Sequence, residues 1–312
     1  MFEPAYIRLH REGKLEERID KALALLKNCH LCPRNCGVNR NKGEPGYCKT
    51  SRYAGIASFG PHFGEEAPLV GSYGSGTIFF SSCNLLCSFC QNYDISHFRH
   101  GTEVGPKEIA SMMLSLAGNG CHNINLVTPT HVVPQILEAL PIAIDGGMNV
   151  PLVYNTGAYD TVNTLKLLDG IIDIYMPDFK FWEKSHAKKY CAAKNYPEIA
   201  RAAIAQMHAQ VDDLAIDEEG IAQRGLLVRH LVMPGDIAGT DEIMHFLAHK
   251  ISKETYVNVM DQYHPCFEAN RDKTINRRIT REEYARAIEA AHSHGIKRLD
   301  GMQNGVPLRI LH

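Results

Sequence analysis

Ser82-Cys83-Asn84-Leu85-Leu86-Cys87-Ser88-Phe89-Cys90-Gln91-Asn92-Tyr93-Asp94 follows closely on an apolar run, Thr77-Ile78-Phe79-Phe80. The run reads as a β-strand that delivers the loop. Its three cysteines stand at C-x3-C-x2-C spacing, so their thiolates can converge on one metal centre. Soft sulfur donors favour iron–sulfur clusters or zinc. A structural zinc site would need a fourth ligand from elsewhere in the chain. A four-iron cluster normally takes four cysteines, so one held by these three would keep an iron open to another ligand.

Outward from that loop, apolar β-like runs alternate with helical stretches. Residues 77–80 are followed by a helix around 106–116, 123–128 by 132–144, and 151–155 by 161–168. The series continues with 171–176 and a long helical region over 183–214, 226–232 and 241–251, then 255–260 and 281–294. Strands of this kind, alternating with helices, predict an α/β fold with a parallel sheet covered by helices. The six units are too few for an eight-unit barrel. In barrel-type sheets the chemistry gathers at the C-terminal strand ends, and the cysteine loop leaves its strand at that end.

Upstream, Leu15, Ile19, Ala22, Leu23 and Leu26 have the spacing of one amphipathic helix over 12–27. A second thiol set follows: Cys29, Cys32, Cys36 and Cys48, at C-x2-C-x3-C-x11-C, in a Gly/Pro/Asn-rich segment with little core of its own. Such a segment can be shaped by a metal, either zinc in a closed site or an iron–sulfur cluster, with disulfides as the other alternative. The organisation expected is residues 1–50 as helix and Cys-rich metal-binding segment, 51–76 as a β/loop lead-in, and 77–312 as the β/α body with a C-terminal tail. The lead-in holds a strand over 51–58 and glycine turns from Gly71 to Gly76; no phosphate-binding glycine pattern opens a helix there. Glu65 and Glu66 read as solvated loop residues. Cys121, Cys191 and Cys266 are isolated in sequence and read as buried thiols.

The 312 residues carry 45% apolar and 22% charged side chains with a net charge of −2, an ordinary soluble balance. Broad electrostatic binding to nucleic acid or anionic lipid is disfavoured. No apolar run approaches membrane-span length, and Met1-Phe2-Glu3-Pro4 lacks the marks of a signal peptide, so a reducing cytoplasm is the expected compartment.

The cysteine spacing, with Phe89 just before the third thiol, resembles the loop of the radical S-adenosylmethionine (SAM) superfamily. That resemblance implies an open partial (β/α)6 barrel and a [4Fe-4S] cluster on Cys83, Cys87 and Cys90. The open iron would chelate SAM, whose reductive cleavage gives a 5′-deoxyadenosyl radical. It also implies a low-potential electron donor of ferredoxin or flavodoxin type. Further matches run to about residue 266 and resemble the pyruvate formate-lyase activating enzymes. Asn92 fits their Cys-x-Asn, and Asn155 in Tyr154-Asn155-Thr156-Gly157 their third strand end. Asp178-Phe179-Lys180 fits an Asp-x-Lys that contacts SAM; two apart in an extended chain, these side chains share a face. Arg229 to Gly235 fits an Arg-x-x-x-x-Pro-Gly strand end, placing Val232 or Met233 beside the adenosine, and His264 fits a Pro-Tyr-His that closes over SAM.

The superfamily's Gly-Gly-Glu-like turn is replaced by Thr128-Pro129-Thr130-His131, whose hydroxyls can accept from an ammonium or cap the next helix. The N-terminal cysteines and the His62-x-Gly-Glu-Glu66 stretch resemble the PflX-like branch. The target implied is a glycine Cα of a partner enzyme; a peptide, an RNA or a small molecule stays open, RNA being disfavoured by charge. The competing class is non-enzymatic: an iron–sulfur or zinc protein serving as electron carrier or scaffold, which binds metal but does not cleave SAM.

Overall fold

The computed structural model describes residues 2–303 and 306–307. Two short helices, α1 (Ala5–Arg11) and α2 (Leu15–Ala24), open the chain, and α2 tightens into a 3-10 turn over Leu25–Lys27. Tyr6, Leu15 and Ala22 are fully buried. Two polar anchors fix the pair: the Tyr6 hydroxyl donates to the Val150 carbonyl (2.8 Å), and the Ala5 N–H to Asp173 Oδ1 (2.9 Å). The Cys-rich stretch that follows holds one 3-10 turn, Arg40–Lys42, and no strand.

The lead-in forms β1 (Ala54–His62), longer than the expected 51–58, and a single helical turn, α3 (Ala67–Val70). β2 (Ser75–Phe80) delivers the cysteine loop, which ends in α4 (Tyr93–Ser96) and β3 (Thr102–Val104). The repeating units are α5 (Pro106–Gly118), β4 (Ile124–Val127), α6 (Val133–Asp145), β5 (Leu152–Thr156), α7 (Val162–Leu167) and β6 (Ile174–Pro177). Then come α8 (Lys184–Cys191), α9 (Tyr196–Val211), β7 (Ala215–Ile216), β8 (Ala222–Leu231), α10 (Thr240–Phe246), β9 (Tyr256–Met260), α11 (Arg281–His294) and β10 (Arg298–Leu299). The single helical region expected over 183–214 is two helices. Ala192 takes a left-handed φ of 51° and ends α8, and Pro197 in the first turn restarts the chain.

The sheet runs β10-β9-β8-β6-β5-β4-β2-β1-β3, with β7 on β8. Every pairing from β2 to β10 along this path is parallel; β1 pairs antiparallel with both β2 and β3. Each parallel strand lies beside its predecessor, with no reversal of order, so the sheet is wound in one direction and lacks a doubly wound switch point. The edges β3 and β10 do not pair with each other, so among the described residues the sheet stays open. β5 and β6 are buried at every position, which is why their sequences read as continuous rather than alternating apolar runs. All C-terminal ends from β2 to β9 therefore converge on one rim.

Asp173, at the entry to β6, is fully buried and accepts from the N–H groups of Ala5 and Leu152 (2.9 and 3.1 Å). Burial pushes its carboxyl up to about 7, against those two donors. With the folded value above the unfolded one, its contribution to stability is full below pH ~4 and is lost as pH rises toward 7, on the order of 4 kcal/mol at most. Urea midpoints of wild type should therefore fall more between pH 5.5 and 8 than those of Asp173→Asn. Parallel pH dependences would show that this carboxyl does not titrate there.

Candidate active site

The cysteine loop is held from several sides. Ser82 N–H donates to the Ile95 carbonyl (2.9 Å) and Ser88 N–H to that of Tyr190 (2.8 Å), while the Ser88 carbonyl accepts from Glu268 and Ala269. Phe89 is buried edge-on against Phe181, ring centres 5.7 Å apart. Ser82 and Leu86 take φ of 75° and 59°, conformations that non-glycine residues rarely adopt. Such backbone strain persists only where the surroundings over-determine it, and it clusters at functional sites.

All three loop thiols line one cavity of about 260 Å³. Burial pushes Cys83 up to about 12 and raises Cys90. Cys87 is raised well above the ordinary thiol range by its contact with Cys191 (Sγ–Sγ 3.2 Å) and then by burial. Cys90 Sγ lies 3.3 Å from the Ser96 hydroxyl. Metal binding would displace these thiol protons, as any thiolate ligand set requires.

The facing wall carries charge. Lys180 Nζ donates to Asp178 Oδ2 (2.6 Å), and Arg229 donates to Asp178 Oδ1 through Nε (2.7 Å) and to Asn155 Oδ1 through Nη2 (2.7 Å). Behind them Glu65 Oε2 stands 3.6 Å from Arg229 Nη1, and Glu65 Oε1 lies 3.0 Å from His62 Nδ1. Burial opposes the Asp178 charge, but Arg229 and Lys180 outweigh it and hold the carboxyl at about 2. Lys180 is likewise disfavoured by burial and held above its ordinary range by Asp178. Gly157 closes the gap between wall and loop: a Cβ there would lie 2.8 Å from Leu85 Cδ1. Thiols on one side and a fixed carboxylate, ammonium and guanidinium on the other suit a metal cluster beside a zwitterionic ligand with hydroxyls.

Of the sequence-predicted residues, Asn92, Thr128, Asn155, Asp178 and Lys180 line this cavity with the three thiols. Thr128 does so with a φ of 61°, a strained state for a β-branched residue. Thr130 is buried away from the cavity, its hydroxyl 3.1 Å from that of Thr156, which donates to Asp160. Val232 faces a neighbouring cleft between α10 and α11; Leu231 and Met233, one step either side, line the cavity instead. His264 stands just outside, 3.4 Å from the wall residue Gln91. Gln262 lines the cavity without having been singled out, and Arg229, which opens the Arg-x-x-x-x-Pro-Gly strand end, lines it too. Of Glu65 and Glu66, both expected in solvent, Glu66 is buried and accepts from Asn258 (2.8 Å), and Glu65 is half-buried with its side chain only 8% exposed. Cys121 and Cys191 are buried as expected, whereas Cys266 is only half-buried.

The N-terminal thiols sit beside this site. Arg34, within that segment, donates to the carbonyls of Asn84 (2.8 Å) and Ala192 (2.7 Å) and stacks on Tyr47 at 3.8 Å. Cys29 and Cys32 are buried, Cys36 and Cys48 half-buried, and Cys36 Sγ accepts from the Tyr47 N–H (3.2 Å). Burial pushes Cys32 up to about 12.

No protein-family model matches the chain. It is 35% identical over 292 residues to uncharacterized protein MJ0674 of Methanocaldococcus jannaschii, covering 90% of this chain and 79% of that protein. Among solved structures it is similar to HydG, a maturase of the [FeFe]-hydrogenase, with a TM-score of 0.50 at 13% identity over 70% of this chain. A radical SAM methyltransferase, TsrM of Kitasatospora setae with cobalamin and a [4Fe-4S] cluster bound, matches with a TM-score of 0.41 at 16% identity over 60% of this chain. The chain spans 48% of the HydG chain and 36% of the TsrM chain. The likeness to HydG is one of fold.

Proposed function

We infer that this chain, which belongs to the same family as MJ0674 of Methanocaldococcus jannaschii, is a radical SAM enzyme. The observation that carries the reading is the cavity itself: Cys83, Cys87 and Cys90 on one rim, and Asn155, Asp178, Lys180 and Arg229 on the wall facing them. A [4Fe-4S] cluster on the three thiolates would supply the electron that splits SAM into methionine and a hydrogen-abstracting 5′-deoxyadenosyl group. The chain's own residues would do the rest. Asp178, held ionised, accepts from ribose hydroxyls; Lys180 pairs with the carboxylate of the methionine moiety; Thr128 and Asn92 take its amino group. Leu231, Met233 and Met260 provide an apolar seat for the adenine and keep water from the reacting carbon.

The substrate class we propose is the glycine Cα of a partner protein, supported by the strand-end motifs at Asn92, Asn155 and Asp178-x-Lys180 that resemble glycyl-radical activases. A low-potential ferredoxin or flavodoxin would deliver electrons. For Cys29, Cys32, Cys36 and Cys48 the proposal is a second metal, zinc or iron–sulfur, supported by the way Arg34 docks that segment on the active-site loop.

The test is anaerobic reconstitution with iron and sulfide, reduction with dithionite and addition of SAM. The assay follows 5′-deoxyadenosine together with iron, sulfide and zinc content. The expected result is deoxyadenosine with about four irons at the loop, about eight if the N-terminal segment holds a second cluster. Cys87→Ala should abolish cleavage. Iron without deoxyadenosine in the presence of candidate partner proteins would favour an electron carrier.

A further inference from the structure

Away from the cavity, three imidazoles meet on the outer layer. His245 and His249 lie one helical turn apart, and His294 comes from the end of α11; one ligand nitrogen of each lies within 4.8 Å of the others. The His245 and His249 rings stack with centres 4.4 Å apart, and His294 stands edge-on to both at 5.2 and 5.9 Å. Imidazoles gathered in this way can turn lone pairs toward a common point.

The hydrogen bonds select which nitrogens are free. His249 Nδ1 is 2.9 Å from the His245 carbonyl, which can only accept, so Nδ1 carries the proton and Nε2 keeps its lone pair. His294 Nε2 is 2.9 Å from Asp241 Oδ1, which leaves Nδ1 open. Asp241, His245 and His249 form one stripe on the helix at i, i+4 and i+8, so carboxylate and imidazoles line the same edge facing α11. A carboxylate on the far nitrogen of a ligating histidine is the usual support of a histidine–zinc bond. A second observation is the backbone: Leu247–Ile251, the stretch that carries His249, is a π-helical turn. Such turns are rare and recur at functional sites.

We propose that His245, His249 and His294 form a binding site for a divalent transition metal of the zinc class. Asp241 orients His294, and a water completes the coordination. Zinc–nitrogen bonds of about 2.0–2.1 Å place tetrahedral ligands roughly 3.3 Å apart, so small rotations of the exposed His245 and His249 toward the half-buried His294 close the site. The ion would clip α10 to α11, on either side of the cleft floored by Val232 and Met233. The site is separate from both thiol sets and does not depend on the SAM reading.

The experiment is a zinc titration of the full chain, purified without a histidine tag and with its iron–sulfur content loaded. A zinc indicator dye reads stoichiometry and affinity for wild type, His249→Ala, His294→Gln and Asp241→Asn, and circular dichroism with iron content reports folding. Zinc bound by thiols cancels in the comparison between variants. Both histidine variants should bind one zinc fewer than wild type, and Asp241→Asn should bind it about 10- to 100-fold more weakly. Equal zinc counts in wild type and whichever histidine variant folds, or wild-type affinity in Asp241→Asn, would overturn the assignment.

Discussion

Replacing Arg229 with Met should lower stability by about 3–5 kcal/mol, the usual cost of removing one partner from a buried ionic cluster. Arg229 touches Asp178, Asn155 and Glu65 at once, and its side chain is only 18% exposed. Without it Asp178 keeps Lys180, but Glu65, its side chain 8% exposed, keeps among the described residues only the half-exposed His62 beside it. SAM affinity should fall by about 2 kcal/mol or more, roughly 30-fold in Kd, because the Asp178 carboxylate loses its aim. Arg229→Lys makes the test specific: it keeps the charge but cannot span three acceptors, so it should recover part of the stability and little of the binding.

The pH sign follows from the same cluster. Asp178 lies below its unfolded value, so its contribution is full above pH ~4 and disappears as pH falls through about 2. Arg229→Met should therefore flatten the acid limb of the stability curve. Denaturant midpoints and anaerobic SAM binding are the measurements; a midpoint and Kd equal to wild type would mean the cluster neither stabilises nor positions.

Why the strand-end motif at Arg229 was legible but its partners were not, while Asp178 and Lys180 could be set together, is a matter of local pattern. Asp178 and Lys180 follow Pro177 two apart, where period-two alternation alone puts them on one face. Arg229 lies in β8 and acquires its partners only through parallel pairing with the segment beyond β6, a long-range fact. Glu65 is the sharper case. A paired glutamate in a loop reads as solvent-facing, yet the chain from β1 to β2 carries both glutamates inward, one to Arg229 and the other to Asn258. The six parallel strands first read from apolar runs are legible because burial on both faces leaves few polar positions. β10, two residues long, offers no such run, and Thr130 and Val232 show the limit of one-residue resolution. Each stands beside a cavity-lining position and faces the other way, Thr130 two residues after Thr128 across Pro129, and Val232 between Leu231 and Met233.

Oxidising the metal-free protein should lock it. Cys191 Sγ lies 3.2 Å from Cys87 Sγ, both buried, and a disulfide needs the sulfurs about 2.05 Å apart, so a shift of roughly 1 Å suffices. Diamide would take two electrons and two protons from the thiol pair, forming the S–S bond and its own reduced hydrazine. The raised pKa of Cys87 keeps its thiolate scarce at neutral pH and slows attack by that sulfur, since the thiolate is the attacking species. The expected product is a chain about 2 Da lighter, with peptides bearing Cys87 and Cys191 joined, that takes up no iron at the loop until dithiothreitol reopens the bond. Once a cluster occupies Cys87 the partner thiol has nothing to attack, so loaded protein should resist the treatment. Cys191→Ala separates this from general oxidation: it should still load iron and cleave SAM, and its metal-free form should survive mild diamide with loading intact. If wild type and Cys191→Ala lose iron uptake equally, the close sulfur contact is packing alone, and the vulnerable thiols are those of Cys83 and Cys90.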